Sequence, residues 1–194
     1  MQSKNLKNII VVDDDRSIRV VISTALTRAG YNVKSSGTAA GMRRLVESDF
    51  ADIIITDVGL PDGDALDVLP KLQHMKPKLK IIVMSARTTL LTAVRAKKKG
   101  AFEYLPKPFD LDELLNLVSN TFSEHNNFEI KDKITLPKNI YDSGPVVGKS
   151  MAMQEIYKLI SRLVNTNLNL LILGESGTGK KLIAKSIHDL SSIN

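Results

Sequence analysis

The stretch IIVVDDDRSIRVVISTAL, residues 9–26, decides the fold. Four β-branched residues, Ile9 to Val12, give way at once to three aspartates, and Ile18, Val21, Ile22 and Leu26 then recur at helical spacing. A continuous apolar run of this length reads as a strand buried on both faces, and the spacing after it as an amphipathic helix. The acidic triplet falls where the strand stops and the helix starts, a position at which a carboxylate caps the free N–H groups of the first turn.

Working outward, the same unit repeats. Strand-like runs recur at Ile53 to Thr56 and Ile81 to Met84, with weaker signals at Tyr31 to Lys34 and Glu103 to Leu105. Helical spacing lies between them, at Met42, Leu45 and Val46, at Leu66, Leu69 and Leu72, and at Leu90, Leu91 and Val94. A last helix runs from Leu111 through Leu114, Leu115 and Val118, with Asp110 at its N-cap. Five strands alternating with helices over about 120 residues predict an α/β, doubly wound parallel sheet of flavodoxin-like order 2-1-3-4-5. This first domain is expected to span residues 1–122. Periodicity is lost over 123–143, where Asn126-Asn127 and Pro137 read as a linker, and a second pattern occupies 144–194. There Met153, Ile156, Tyr157, Ile160 and Leu163 predict a helix, Leu168 to Leu173 a buried strand, and Leu182 to Leu190 a second helix.

Composition narrows the function classes. With 43% hydrophobic and 25% charged residues in 194, the chain has the balance of a soluble globular protein. The absence of Cys excludes a disulfide framework or thiolate metal site, and no apolar run is long enough for a membrane span, so a cytoplasmic location is expected. The net charge of +6 is spread along the chain, which argues against a nucleic-acid footprint. Lys97-Lys98-Lys99 closes a predicted helix, where cations complement its dipole. His74, His125 and His188 stand in no ligand spacing.

In an open parallel sheet, ligands bind beyond the carboxyl ends of the strands where the order reverses, here between strands one and three. Strand one ends in Asp13-Asp14-Asp15, strand three in Asp57, strand four in Ser85 and strand five in Lys107. Three carboxylates held together require a cation to offset their repulsion. An all-oxygen donor set suits Mg²⁺, with Asp14 and Asp57 as side-chain ligands and Asp13 acting through water. Asp57 is then the candidate phosphoacceptor, Lys107 the cation that pairs with a phosphoryl oxygen, and Ser85 a hydrogen-bond donor to another.

VVDDD, TDVGLPDGDA, the MSA at Met84 to Ala86 and the YLPKPF at Tyr104 to Phe109 resemble, in order, the signature blocks of CheY-like response-regulator receiver domains. The resemblance implies phosphoryl transfer from a sensor histidine kinase to Asp57. It also implies a metal site of Asp13, Asp14, Asp57 and the backbone carbonyl of Gly59. Ser85 and Tyr104 would move together on modification, and Lys107-Pro108 would be a cis peptide. Ala65 departs from the pattern, which usually has Gly there.

The later segment, GPVVGKSMAMQEIYKLISRL through LILGESGTGK, resembles the start of the AAA+ domain of NtrC-type, sigma-54-dependent activators. Gly174, Glu175, Ser176, Gly177, Thr178, Gly179 and Lys180 form a GxxxxGK loop, whose backbone N–H groups and lysine cradle nucleotide phosphates. Lys181 departs from the Ser or Thr of the general pattern and from the Glu common in this family. About 50 residues with one strand form an incomplete P-loop fragment, so ATP hydrolysis is not expected and ATP binding stays open. The reading is a Mg²⁺-dependent, phosphorylation-controlled response regulator whose output half is missing. The alternatives are a stand-alone receiver working by protein contact, or a nucleotide-binding fragment. Expected partners are a sensor histidine kinase, a second copy through the receiver, and sigma-54 RNA polymerase with DNA for a longer form.

Overall fold

A computed structural model describes residues 7–86, 89–123, 150–164, 166 and 168–191. The expected linker beyond Ser123, and residues 144–149, lie outside them. Among the described residues the elements run β1 (Asn8–Val12), α1 (Arg16–Arg28), β2 (Asn32–Ser36), α2 (Ala39–Glu47), β3 (Ile53–Asp57), β4 (Gly59–Leu60), β5 (Gly63–Asp64), α3 (Ala65–Met75), β6 (Lys80–Ser85), α4 (Leu90–Lys98), β7 (Glu103–Pro106), α5 (Leu111–Ser123), α6 (Met151–Leu163) and α7 (Lys180–Leu190).

Five strands form one parallel sheet in the order β2-β1-β3-β6-β7. Counting only the strands of this sheet, that is the 2-1-3-4-5 order expected from the sequence. The central strands are β-branched because both faces are covered: Ile9 to Val12, Ile53 to Ile55 and Ile81 to Met84 are all fully buried. Alternation divides them between two faces. Ile9, Val11, Ile53, Ile55, Ile82 and Met84 pack with Ile22 and Leu26 of α1 and with Leu114 and Val118 of α5. Each such side chain contributes roughly 1.5–3 kcal/mol relative to exposure. α2 packs on β1 and against α3, whose Leu66, Leu69 and Leu72 are buried.

Helix starts follow local chemistry. Asp15 caps α1, its carboxylate accepting from the N–H groups of Ser17 (2.7 Å) and Ile18 (3.4 Å). Thr38 caps α2 through Gly41 N–H, and Asp64 caps α3 through Leu66 N–H. Asp110 stands at the start of α5, its carbonyl accepting from Leu114 N–H at 3.2 Å. A two-residue antiparallel ladder, Gly59 against Asp64 and Leu60 against Gly63, folds the loop after β3 into a miniature hairpin that the sequence reading did not include.

The chain divides into two compact units, residues 1–86 with 99–127 and residues 87–98 with 128–194. The sheet lies in the first. In the second, Val94 of α4 joins Tyr157, Ile160 and Val164, with Met153, Ile156, Ile183, Ile187 and Leu190 packed around them. The helices expected at 153–163 and 182–190 are thus present as α6 and α7. Leu168 to Leu173 is not the buried strand expected: the segment pairs with no described strand, and Leu168, Leu170, Leu171 and Leu173 are exposed. A β-branched or leucine-rich run becomes a strand only when a neighbour supplies ladder hydrogen bonds, and none of the described residues does so.

Candidate functional site

The parallel register brings the ends of β1, β3, β6 and β7 to one rim: Val12 pairs Thr56, Asp57 pairs Met84, and Ser85 pairs Pro106. Asp13 follows β1 directly and is fully buried, Asp14 is exposed, and Asp57, the last residue of β3, is partly buried. One carboxylate oxygen from each of the three lies within 4.8 Å of the others. This hard, all-oxygen set, close enough for one ion to reach all three carboxylates, fits a divalent cation such as Mg²⁺. It is the one such cluster of His, Asp or Glu among the described residues, and neither His74 nor His188 belongs to it.

Lys107, immediately after β7, supplies the cation that the acids need. Its Nζ donates to Asp13 Oδ2 at 2.6 Å and to Asp57 Oδ2 at 2.9 Å. Burial pulls the Lys107 ammonium down, but the bonds from Asp13 and Asp57 and their charges outweigh it, so its pKa is held above the usual lysine range. The lysine is itself aimed by the backbone, its N–H donating to Ser85 O at 2.8 Å, and the Lys107-Pro108 peptide is cis, as the family resemblance implied. The second oxygens of the acids are also committed. Asp57 Oδ1 accepts from Val58 N–H at 2.7 Å, and Asp13 Oδ1 from Asp15 N–H at 3.0 Å.

Ser85 and Tyr104, from the adjacent strands β6 and β7, are each 2% exposed. Burial is the main reason the Tyr104 phenol is pushed up to about 12; its hydrogen bond with Ser85 opposes that shift and the charge of Asp57 adds to it. Gly59 is exposed at the start of the miniature hairpin, two residues beyond Asp57.

Two further residues bind to the loops of the rim, and the sequence reading singled out neither. Arg19, on α1, donates from Nη1 to the carbonyls of Asp13 (2.5 Å) and Asp14 (2.9 Å). Asp62, in the miniature hairpin, accepts from the N–H groups of Ala39 and Ala40, both at 2.8 Å, and so ties the loop after Asp57 to the start of α2. Those N–H bonds, Ala40 first and then Ala39, hold the Asp62 carboxyl below its usual range. Arg19 follows the acidic triplet closely enough to have been a candidate. Asp62 to Ala39 spans 23 positions and has no local signal.

In the second unit, the GxxxxGK loop leads into α7. Gly174, Gly177 and Gly179 adopt positive φ, which an L side chain resists. A pocket is lined by Ser176, Gly177, Gly179, Lys180, Lys181, Leu182 and Lys185. Lys180 Nζ folds back onto the loop, donating to Gly174 O at 2.8 Å and to Glu175 O. Thr178 donates from Oγ1 to Glu175 O at 2.8 Å.

A five-stranded parallel sheet of this order, with three acids and a lysine gathered on the rim at its switch point, is the architecture of a CheY-like signalling receiver. The chain belongs to the response regulator receiver domain family, whose model matches residues 9–119, and the sigma-54 interaction domain model matches residues 146–194. A DNA-binding transcriptional regulator NtrC of Bradyrhizobium sp. is 48% identical over 184 residues, covering 94% of this chain and 37% of that protein. The chain therefore spans a little over a third of that relative. Among solved structures, a CheY-like receiver domain protein from Methanospirillum hungatei is 29% identical with a TM-score of 0.60, covering 62% of this chain and 96% of its own. A beryllofluoride-activated NtrC4 receiver domain dimer is 33% identical with a TM-score of 0.57, covering 60% of this chain and 96% of its own. No helix among the described residues is long and apolar enough to cross a membrane.

Proposed function

We propose that Asp57 accepts a phosphoryl group from the phosphohistidine of a sensor histidine kinase, and that the receiver so modified controls transcription in an NtrC-like regulator. The observation that carries this reading is the convergence on one rim of Asp13, Asp14 and Asp57, with an oxygen from each within 4.8 Å of the others, and of Lys107, which is bonded to Asp13 and Asp57; three separate strand ends contribute them. Asp13, Asp14, Asp57 and the Gly59 carbonyl would hold Mg²⁺, which when bound supplies positive charge against the phosphoryl oxygens.

In the step itself, a carboxylate oxygen of Asp57 forms a bond to phosphorus as the P–N bond to the donor imidazole breaks, and the bonding pair leaves on that nitrogen. No proton has to leave Asp57, which enters as the anion. Lys107 keeps its proton and turns its ammonium from the carboxylates toward the incoming phosphoryl oxygens, a short swing for a flexible point charge. Ser85 donates to another phosphoryl oxygen, and Tyr104, hydrogen-bonded to Ser85, follows it, biasing two arrangements of the β6–β7 face.

The test is incubation of the chain with Mg²⁺ and a small phosphodonor. One hydroxylamine-labile phosphate is expected on wild type and none on Asp57→Asn. A folded, Mg²⁺-binding sample that accepts phosphate neither from the small donor nor from its kinase overturns the reading. A second copy, through the receiver, is a proposed partner, and sigma-54 RNA polymerase and DNA are proposed only for a longer form; the proposed location is the cytoplasm.

The second reading, nucleotide binding by the GxxxxGK loop, draws on its positive-φ glycines and on Lys180 held over the loop carbonyls. Calorimetric titration with MgATP separates it from the first: binding lost in Lys180→Ala supports it, and a flat titration removes it.

A further inference from the structure

The loop that presents Asp13 and Asp14 is fastened from behind by a residue that itself bears no role in the chemistry above. Arg19 Nη1 donates to both carbonyls of that loop, at 2.5 Å to Asp13 O and 2.9 Å to Asp14 O. Two consecutive peptide planes are thereby oriented by one charged donor, and the directions in which the two carboxylates leave the backbone are set with them. Lys107 Nζ holds the Asp13 carboxylate at 2.6 Å, whereas the backbone of the loop has neutral ties, among them Asp13 N–H to Ser36 O at 3.2 Å and Asp15 N–H to Asp13 Oδ1 at 3.0 Å. Charge-assisted bonds of the arginine kind are about twice as strong as neutral ones.

The loop after β2 leaves room for this arrangement. A Cβ placed on Gly37 would stand 3.1 Å from Arg19 Nη1 and 3.5 Å from its Cζ, and its three nearest neighbours would all be guanidinium atoms. Gly37 has no positive φ, and a side chain there would press on the Arg19 guanidinium.

We infer that Arg19 is a positioning residue for the acidic rim: by holding the carbonyls of Asp13 and Asp14 it sets the affinity of the rim for a divalent cation, with Gly37 as the space that admits it. The inference rests on the reading of the rim as a Mg²⁺ site. Electrostatics and geometry predict opposite signs here. A guanidinium beside a cation site repels the cation, so charge alone makes Arg19→Ala bind Mg²⁺ more tightly. Loss of positioning makes it bind more weakly, by about 10- to 100-fold, the usual cost of removing a group that orients metal ligands.

The experiment is Mg²⁺ titration of the whole chain, followed by amide chemical shifts of the rim residues, on wild type, Arg19→Ala, Arg19→Lys and Gly37→Ala, with urea midpoints to establish that each is folded. Weakening by at least about tenfold in Arg19→Ala, partial rescue in Arg19→Lys, and an intermediate loss in Gly37→Ala support the inference. Gly37→Ala leaves every charge in place, so it decides the matter should Arg19→Ala not fold. Affinity equal to or tighter than wild type in Arg19→Ala, or an unchanged Gly37→Ala, overturns it. A wild-type chain without saturable Mg²⁺ binding overturns the reading of the rim itself, and is recognised because it fails before any variant is compared.

Discussion

Lys107 Nζ stands 2.6 Å from Asp13 Oδ2 across 94 positions of sequence, and the carboxylate it meets is 1% exposed. Removing one partner of a buried pair leaves the other charged and unmatched, which costs about 3 kcal/mol. Lys107→Ala is therefore expected to lower the urea stability by about that amount without divalent cations. Mg²⁺ should restore more of it in the variant than it adds to wild type, because a bound cation replaces the lost ammonium. The Lys107 pKa is raised on folding, so its contribution is full below pH 10.5 and fades as pH rises through the folded value. The gap between wild type and Lys107→Ala should close in strong alkali.

Tyr104 supplies a spectroscopic prediction. Its phenol, pushed up to about 12 chiefly by burial, keeps its proton when ordinary phenols have lost theirs. The folded value lies above the ordinary 10.0 of a phenol, so the stabilisation is complete below pH 10 and is lost through about pH 12. In pH jumps read at 295 nm before unfolding, a late phase is expected near pH 12, and Tyr104→Phe should remove its amplitude.

Asp62 ties the loop after Asp57 to α2. Its carboxyl is held below the usual 3.8 by two backbone N–H groups, so the stabilisation is present above that pH and disappears as pH falls through the depressed value. Asp62→Ala should unfold at lower urea than wild type at pH 7, with the difference shrinking toward zero in acid. A difference that persisted at low pH would show that the carboxylate is not its source.

Gly100 has φ +97, and a Cβ there would lie 2.1 Å from Gln73 Oε1 and 2.6 Å from Gln73 Cδ. Gln73 Nε2 meanwhile donates to Gly100 O. Gly100→Ala is expected to cost about 1–3 kcal/mol through backbone strain and the displaced glutamine. In a double-mutant cycle with Gln73→Ala, the steric part should vanish and the backbone part remain.

How far the sequence carried is best judged from individual elements. β1, β3 and β6 were legible because the centre of each is buried on both faces and carries a run of three or four Ile and Val. β2 was read weakly, at Tyr31 to Lys34 where the strand is Asn32–Ser36, because this edge strand is half solvent-facing and its Asn, Lys and Ser blur the pattern. The acids and lysine of the rim were legible because every one of them sits at or just past a strand end. The miniature hairpin and the Asp62 tie were not, since a two-residue ladder has no period and a 23-position contact has no spacing to recognise. Leu168 to Leu173 was misread for the converse reason: its composition suits a strand, but a strand is a relation between two segments and composition describes one.

Asp13, Asp14 and Asp15 are chemically identical neighbours with three incompatible surroundings: the first is sealed against Lys107, the second faces water, and the third opens a helix. The three positions are therefore not equivalent, although each holds the same residue. Lengthening each in turn to Glu amounts to three different experiments: an overfilled interior at 13, a displaced oxygen in free space at 14, and a frayed first turn at 15. The sequence writes the same letter at all three, so tolerance to change here must be read from depth and neighbours.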